Sequence, residues 1–90
     1  KIIIEGKTFD FFADDKKTLY EVMSDLEKDG ITLKTKKFSS LGYLIEGING
    51  KESNNGYYWT LYINGKEALV GVSAYIPKVN DVIEWKYEKR

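Results

Sequence analysis

The 90-residue chain has no cysteine and no histidine. Without thiols there is no disulfide framework, no thiolate metal site and no side-chain redox chemistry, and cysteine usage gives no reading of the compartment. Without imidazole the usual general base and the commonest zinc ligand are missing, as is any axial nitrogen supplied to a corrin or haem. An excess of charge of one sign is lacking too: 14 lysines and arginines offset 14 aspartates and glutamates. No strong field gathers phosphates, and nucleic acid is not an expected partner. No apolar run approaches the roughly 20 residues of a membrane helix, so no membrane span is expected within this chain. The single proline, Pro77, sits between predicted strands, where it removes no ladder hydrogen bond.

What remains has the balance of a folded domain, 42% hydrophobic and 31% charged residues. A chain of this size supports one core, and residues 1–90 are expected to form one domain. It begins at Lys1 with neither an initiator methionine nor an apolar leader, and is read as a fragment of a longer protein.

Ile2, Ile3 and Ile4 form a β-branched run, Gly6-Lys7 offers a turn, and Thr8 to Phe12 resumes an apolar strand, together predicting an N-terminal hairpin. Asp14 to Lys17 break that pattern before Thr18, a helix cap with Glu21 three residues on to complete a capping box. Leu19, Val22, Met23 and Leu26 follow at i, i+3, i+4 and i+7, the stripe of a helix with one buried face, and Gly30 ends it.

Beyond Gly30 the pattern predicts strands over Thr32 to Lys37, Tyr43 to Ile48, Tyr57 to Ile63, Glu67 to Val72 and Val82 to Tyr87. Asn64-Gly65 suits a two-residue hairpin. Asn49 to Gly56 reads as an exposed loop, and Asn80-Asp81 as a tight turn. The expected fold is α+β and β-grasp-like, with the N-terminal hairpin and one helix packed on a mixed sheet of about six or seven strands.

Catalytic constellations are hard to assemble. Ser39, Ser40, Ser53 and Ser73 have no histidine to take their proton. Asp14, Asp15, Asp25, Glu27 and Asp29 lie on the helix or its approach, where solvated acids are ordinary. The glycines punctuate strand turns instead of leading into a helix as a phosphate loop requires, and Asn49, Glu52 and Asn54 are too sparse for a calcium loop. Lys34, Lys36 and Lys37 alternate with Thr35 as a solvated strand face does.

The unusual feature is aromatic. Tyr57, Tyr58, Trp59 and Tyr62 crowd one predicted strand. A period of two sends Tyr57, Trp59, Leu61 and Ile63 to one side, as core under the helix, and Tyr58, Thr60 and Tyr62 to the other. That second set suits either a half-wet binding face or cross-strand pairs that stiffen an exposed sheet. Trp85 and Tyr87 alternate with Glu84 and Lys86 and read as core.

Ser39-Ser40-Leu41-Gly42-Tyr43, Tyr58-Trp59-Thr60-Leu61, Gly71-Val72-Ser73-Ala74-Tyr75-Ile76-Pro77 and Asp81-Val82-Ile83-Glu84 stand in an order and spacing that resembles the C-terminal domain of transcobalamin and intrinsic factor. The related domain of bacterial surface proteins and lipoproteins is similar as well. The resemblance runs from the helix to Tyr87. It implies a lid that closes over cobalamin against a second domain, with Tyr58, Trp59, Thr60 and Leu61 lining the corrin side of the ligand site and Leu41, Gly42 and Tyr43 beside them. Thr60 departs from the carriers, which commonly hold a glutamine there, and Asn80 stands where bacterial relatives often have glycine.

The resulting expectation is a non-catalytic, extracellular or surface-anchored ligand-binding module. It has no intrinsic cofactor, takes cobalamin or another corrinoid as ligand, and needs a second domain or protein to complete the site. An adhesion or spacer module of a bacterial surface protein is the alternative reading, and an enzyme a third.

Overall fold

The computed structural model describes residues 1–40 and 42–89. Its α-helix, α1 (Leu19–Asp25), starts at the predicted capping box: the Thr18 hydroxyl accepts the Glu21 N–H at 3.3 Å, and the Glu21 carboxylate accepts the Thr18 N–H at 3.0 Å. The other free amides of the first turn are satisfied from a distant segment. Leu19 N–H donates to the Tyr75 carbonyl at 2.7 Å and Tyr20 N–H to the Val72 carbonyl at 2.9 Å, which removes the orphan donors a helix start leaves. The last turn tightens to a 3-10 helix over Leu26–Asp29, and Gly30 closes it at φ 94°. Leu19, Val22, Met23 and Leu26 are buried as the stripe requires.

Among the described residues eight strands accompany this helix: β1 (Ile2–Ile4), β2 (Lys7–Phe9), β3 (Leu33–Phe38), β4 (Gly42–Ile48), β5 (Lys51–Glu52), β6 (Tyr57–Ile63), β7 (Lys66–Glu67) and β8 (Ile83–Lys89). Three hairpins close through dipeptides with positive φ at both residues, Glu5-Gly6, Asn49-Gly50 and Asn64-Gly65, and Asn55-Gly56 makes a fourth such turn under the Asn54–Tyr57 bridge. That geometry matches the twist of antiparallel neighbours. The first turn lies one residue earlier than Gly6-Lys7, because Ile4 pairs with Lys7. The expected loop at 49–56 is two tight turns with β5 between them.

The fold is α+β, but the strands form two sheets instead of one. One is five-stranded in the order β2-β1-β8-β6-β7, with β1 parallel to β8 and the other pairs antiparallel. The other is antiparallel in the order β3-β4-β5. The carbonyls of Lys51 and Glu52 in β5 accept the Trp59 indole N–H at 2.8 Å and the Tyr87 hydroxyl at 2.6 Å. These two side-chain hydrogen bonds tie β5 to the larger sheet.

Two predicted strands are shorter. The strand expected over Thr8 to Phe12 ends at Phe9, which already pairs with Ile2 at the start of β1, leaving Phe12 96% exposed. The strand expected over Glu67 to Val72 stops as β7. Ala68 N–H still reaches the Leu61 carbonyl at 2.9 Å, but Val72 and Tyr75 turn their carbonyls to the helix start, which pulls the chain off the sheet. Among the described residues no helix is long and apolar enough to cross a membrane. Ile2, Ile4, Ile45, Ile48, Ile83 and Trp85 fill the core with the helical stripe.

Candidate functional site

Strand β6 alternates as its period of two requires. Trp59 and Leu61 face the core, Ile63 packs at its edge, and Tyr57 stacks on Tyr87 with centroids 5.6 Å apart. On the other face Tyr58, Thr60 and Tyr62 stand across from Glu88, Lys86 and Glu84. The Tyr62 hydroxyl donates to the Glu88 carboxylate at 2.8 Å, and the Lys86 ammonium lies 4.5 Å from the Tyr62 ring centroid. Thr60 is buried at 5% exposure, whereas Tyr58 is 48% exposed. This outer face is a cross-strand network, and Tyr58 is its most open ring.

Residues at the start of β4 are held by the helix and by the 70–75 segment. The Tyr43 ring stacks on Tyr20 with centroids 4.0 Å apart and planes 8° from parallel. Its backbone N–H donates to Ser73 Oγ at 2.9 Å. Gly42 has φ 79°, and a Cβ there would meet Ser73 Cβ and Oγ at 2.6 Å, so both backbone conformation and space call for glycine. Leu41, also expected at the site, lies outside the described residues.

Of the expected residues, Tyr43, Trp59 and Leu61 come together in one cleft of about 160 Å³. Ile45, Val72 and Trp85 supply its buried walls, and Leu44 and Val70 line it with about half of their surface exposed. Leu69, adjacent in the chain, is almost fully exposed. Strand β5 pairs with β4 only at Gly47 and Ile48. Among the described residues, Tyr43 to Ile45 therefore have β3 on one side and no strand on the other. The cleft offers aliphatic walls and the edges of buried aromatic rings, beside a strand edge whose Tyr43 N–H is already taken by Ser73, which suits dispersion contact with an apolar group. Tyr58 and Thr60 are on the opposite face and do not line it.

No carboxylate or amine lines the cleft, and among the described residues no group of acidic side chains gathers as a metal ion would need. The one buried carboxylate among the described residues, Asp81, serves the fold. It accepts hydrogen bonds from the Tyr75 hydroxyl at 2.5 Å, the Asn64 amide at 2.9 Å and the Lys78 N–H at 2.9 Å. Burial opposes its charge, but the three donors outweigh burial and hold the carboxyl below its ordinary range. The same hydrogen bond, with burial, pushes the Tyr75 phenol up to about 12. Asn80, at φ 72°, makes the left-handed turn expected before Asp81.

Sequence reasoning did not single out Tyr20, Ser73, Val70 or Leu44 as parts of this region. The one signal available was Gly71-Val72-Ser73, recognised as a motif with no partner assigned to it. Trp85, whose alternation with Glu84 and Lys86 marks it as core, is both core and cleft wall.

Residues 16–89 match a protein family described as a domain of unknown function, DUF4430. No curated protein matches the chain.

Proposed function

From the premise that the chain belongs to this family of domains of unknown function, we propose that it is a non-catalytic binding module whose Tyr43–Trp59 cleft is half of a ligand site. The observation that carries this reading is the meeting of Tyr43, Trp59 and Leu61 in one apolar cleft edged by the exposed Leu44 and Val70. The chain's likeness to the transcobalamin C-terminal domain points to cobalamin or another corrinoid. A corrin ring is larger than a cleft of about 160 Å³, so the cleft would grip one edge while a second domain or protein covers the rest. The same likeness favours a module that works outside the cell or on its surface. The absence of histidine and cysteine favours capture over catalysis.

The test is titration with cobalamin and cobinamide, following heat and the quenching of tryptophan emission, since Trp59 and Trp85 both line the cleft. Weak binding by this chain and tighter binding by the full-length protein are expected. No binding by the full-length protein would overturn the corrinoid assignment.

A further inference from the structure

Three asparagines are followed by glycine and sit in left-handed two-residue turns: Asn49-Gly50, Asn55-Gly56 and Asn64-Gly65. A glycine after asparagine has no Cβ to shield its backbone nitrogen, which leaves the asparagine side-chain carbonyl open to attack by that nitrogen. The three turns hold their amides very differently. Asn64 is fixed at both ends, since Nδ2 donates to Asp81 Oδ1 at 2.9 Å and Oδ1 accepts the Val82 N–H at 2.8 Å. Its backbone N–H also donates to the Val82 carbonyl at 2.8 Å. Asn49 Oδ1 accepts the Thr32 N–H at 3.2 Å, and its backbone N–H donates to the Thr32 carbonyl at 2.9 Å. The Asn55 side chain is exposed and makes no hydrogen bond among the described residues.

We infer that Asn55 is a site of spontaneous covalent modification, and that the fold protects Asn64 from the same reaction. The turn opens, the Gly56 nitrogen attacks Asn55 Cγ, and a new C–N bond forms as the nitrogen gives up its proton. The Cγ–Nδ2 bond breaks and the side-chain nitrogen leaves as ammonia, closing a succinimide. Water then opens the ring at either carbonyl, giving aspartate or isoaspartate. Opening at Asn55 breaks only the short bridge between Asn54 and Tyr57, whereas at Asn64 it also breaks both side-chain bonds. Isoaspartate lengthens the backbone by one carbon in a two-residue turn. The product therefore alters the approach to Tyr57, the first residue of the strand that carries Trp59. This inference is independent of the ligand reading.

Incubating the purified protein in mildly alkaline buffer, with peptide mass spectrometry and enzymatic methylation of isoaspartate, tests it. In the folded protein Asn55 is expected to convert roughly tenfold or more faster than Asn64, the factor two ordinary hydrogen bonds impose on an opening equilibrium. In concentrated urea the three sites should converge. Asn55→Gln should remove the fastest phase. Conversion of Asn64 as fast as Asn55 in the folded protein, or a difference that persists in urea, would overturn the inference.

Discussion

The Trp59 indole N–H donates to the Lys51 carbonyl across the junction of the two sheets at 2.8 Å. That bond, with the Tyr87 hydroxyl on the Glu52 carbonyl, fastens the short strand β5 to the five-stranded sheet. Trp59→Phe keeps an aromatic ring but strips the Lys51 carbonyl of its donor, and should cost about 1–3 kcal/mol. Trp59→Ala adds a cavity and should cost about 3–5 kcal/mol. Urea denaturation measures both. A Phe variant as stable as the parent would mean that apolar contact alone joins the sheets.

Tyr75 and Asp81 predict a pH profile. The phenol ionises near 10.0 when free and about 12 in the fold. Its stabilisation is therefore complete below pH 10 and lost as pH rises from 10 towards 12. The Asp81 carboxyl is lowered from 3.8, so its contribution is complete above the ordinary carboxylate range and lost as pH falls through the folded value. Denaturation midpoints should fall at both extremes, and Tyr75→Phe should flatten the alkaline limb. An unchanged alkaline slope in that variant would show that other groups cause it.

Gly42→Ala should destabilise by about 1–3 kcal/mol, the usual cost of a strained backbone position. Part of that cost is steric, because the added methyl meets Ser73. The same substitution in a Ser73→Gly background should cost less, and the difference measures the clash. Equal costs in the two backgrounds would assign the whole effect to the positive φ.

At the cleft, Leu44→Asp changes a half-exposed side chain within β4 and should cost about 1–2 kcal/mol of stability, while abolishing corrinoid binding. Tyr58→Ala, on the opposite face of β6, should leave binding unchanged. Calorimetry on both variants separates the two faces, and loss of binding through Tyr58 alone would move the site to the outer sheet surface.

Short-range pattern translated well into structure. Thr18 with Glu21, the Leu19-Val22-Met23-Leu26 stripe, Gly30 and Asn64-Gly65 all act within a few residues, and each sits where its spacing implies. Tyr57–Ile63 is a strand over its predicted span. What local pattern does not carry is the choice of distant partner. The apolar run from Ala68 to Val72 looks like a strand, yet the helix start draws the Val72 and Tyr75 carbonyls away from the sheet. The links between the two sheets are of the same kind, since Trp59 and Tyr87 donate to the distant carbonyls of Lys51 and Glu52. The four-residue motif Tyr58-Trp59-Thr60-Leu61 meets a geometric limit, because consecutive residues of a strand point to opposite faces. Trp59 and Leu61 reach the cleft, and Tyr58 and Thr60 face away from it.

The parallel pairing of β1 with β8, Ile2 beside Ile83 and Ile4 beside Trp85, bears on how the domain carries load. Tension entering ahead of β1 and leaving after β8 pulls these neighbours past one another along their length. The hydrogen bonds between them are then strained together in shear instead of being unzipped one at a time. Resistance to stretching is thus concentrated in one short junction at the centre of the five-stranded sheet, and the rate at which that junction gives way sets how long the domain survives a sustained pull.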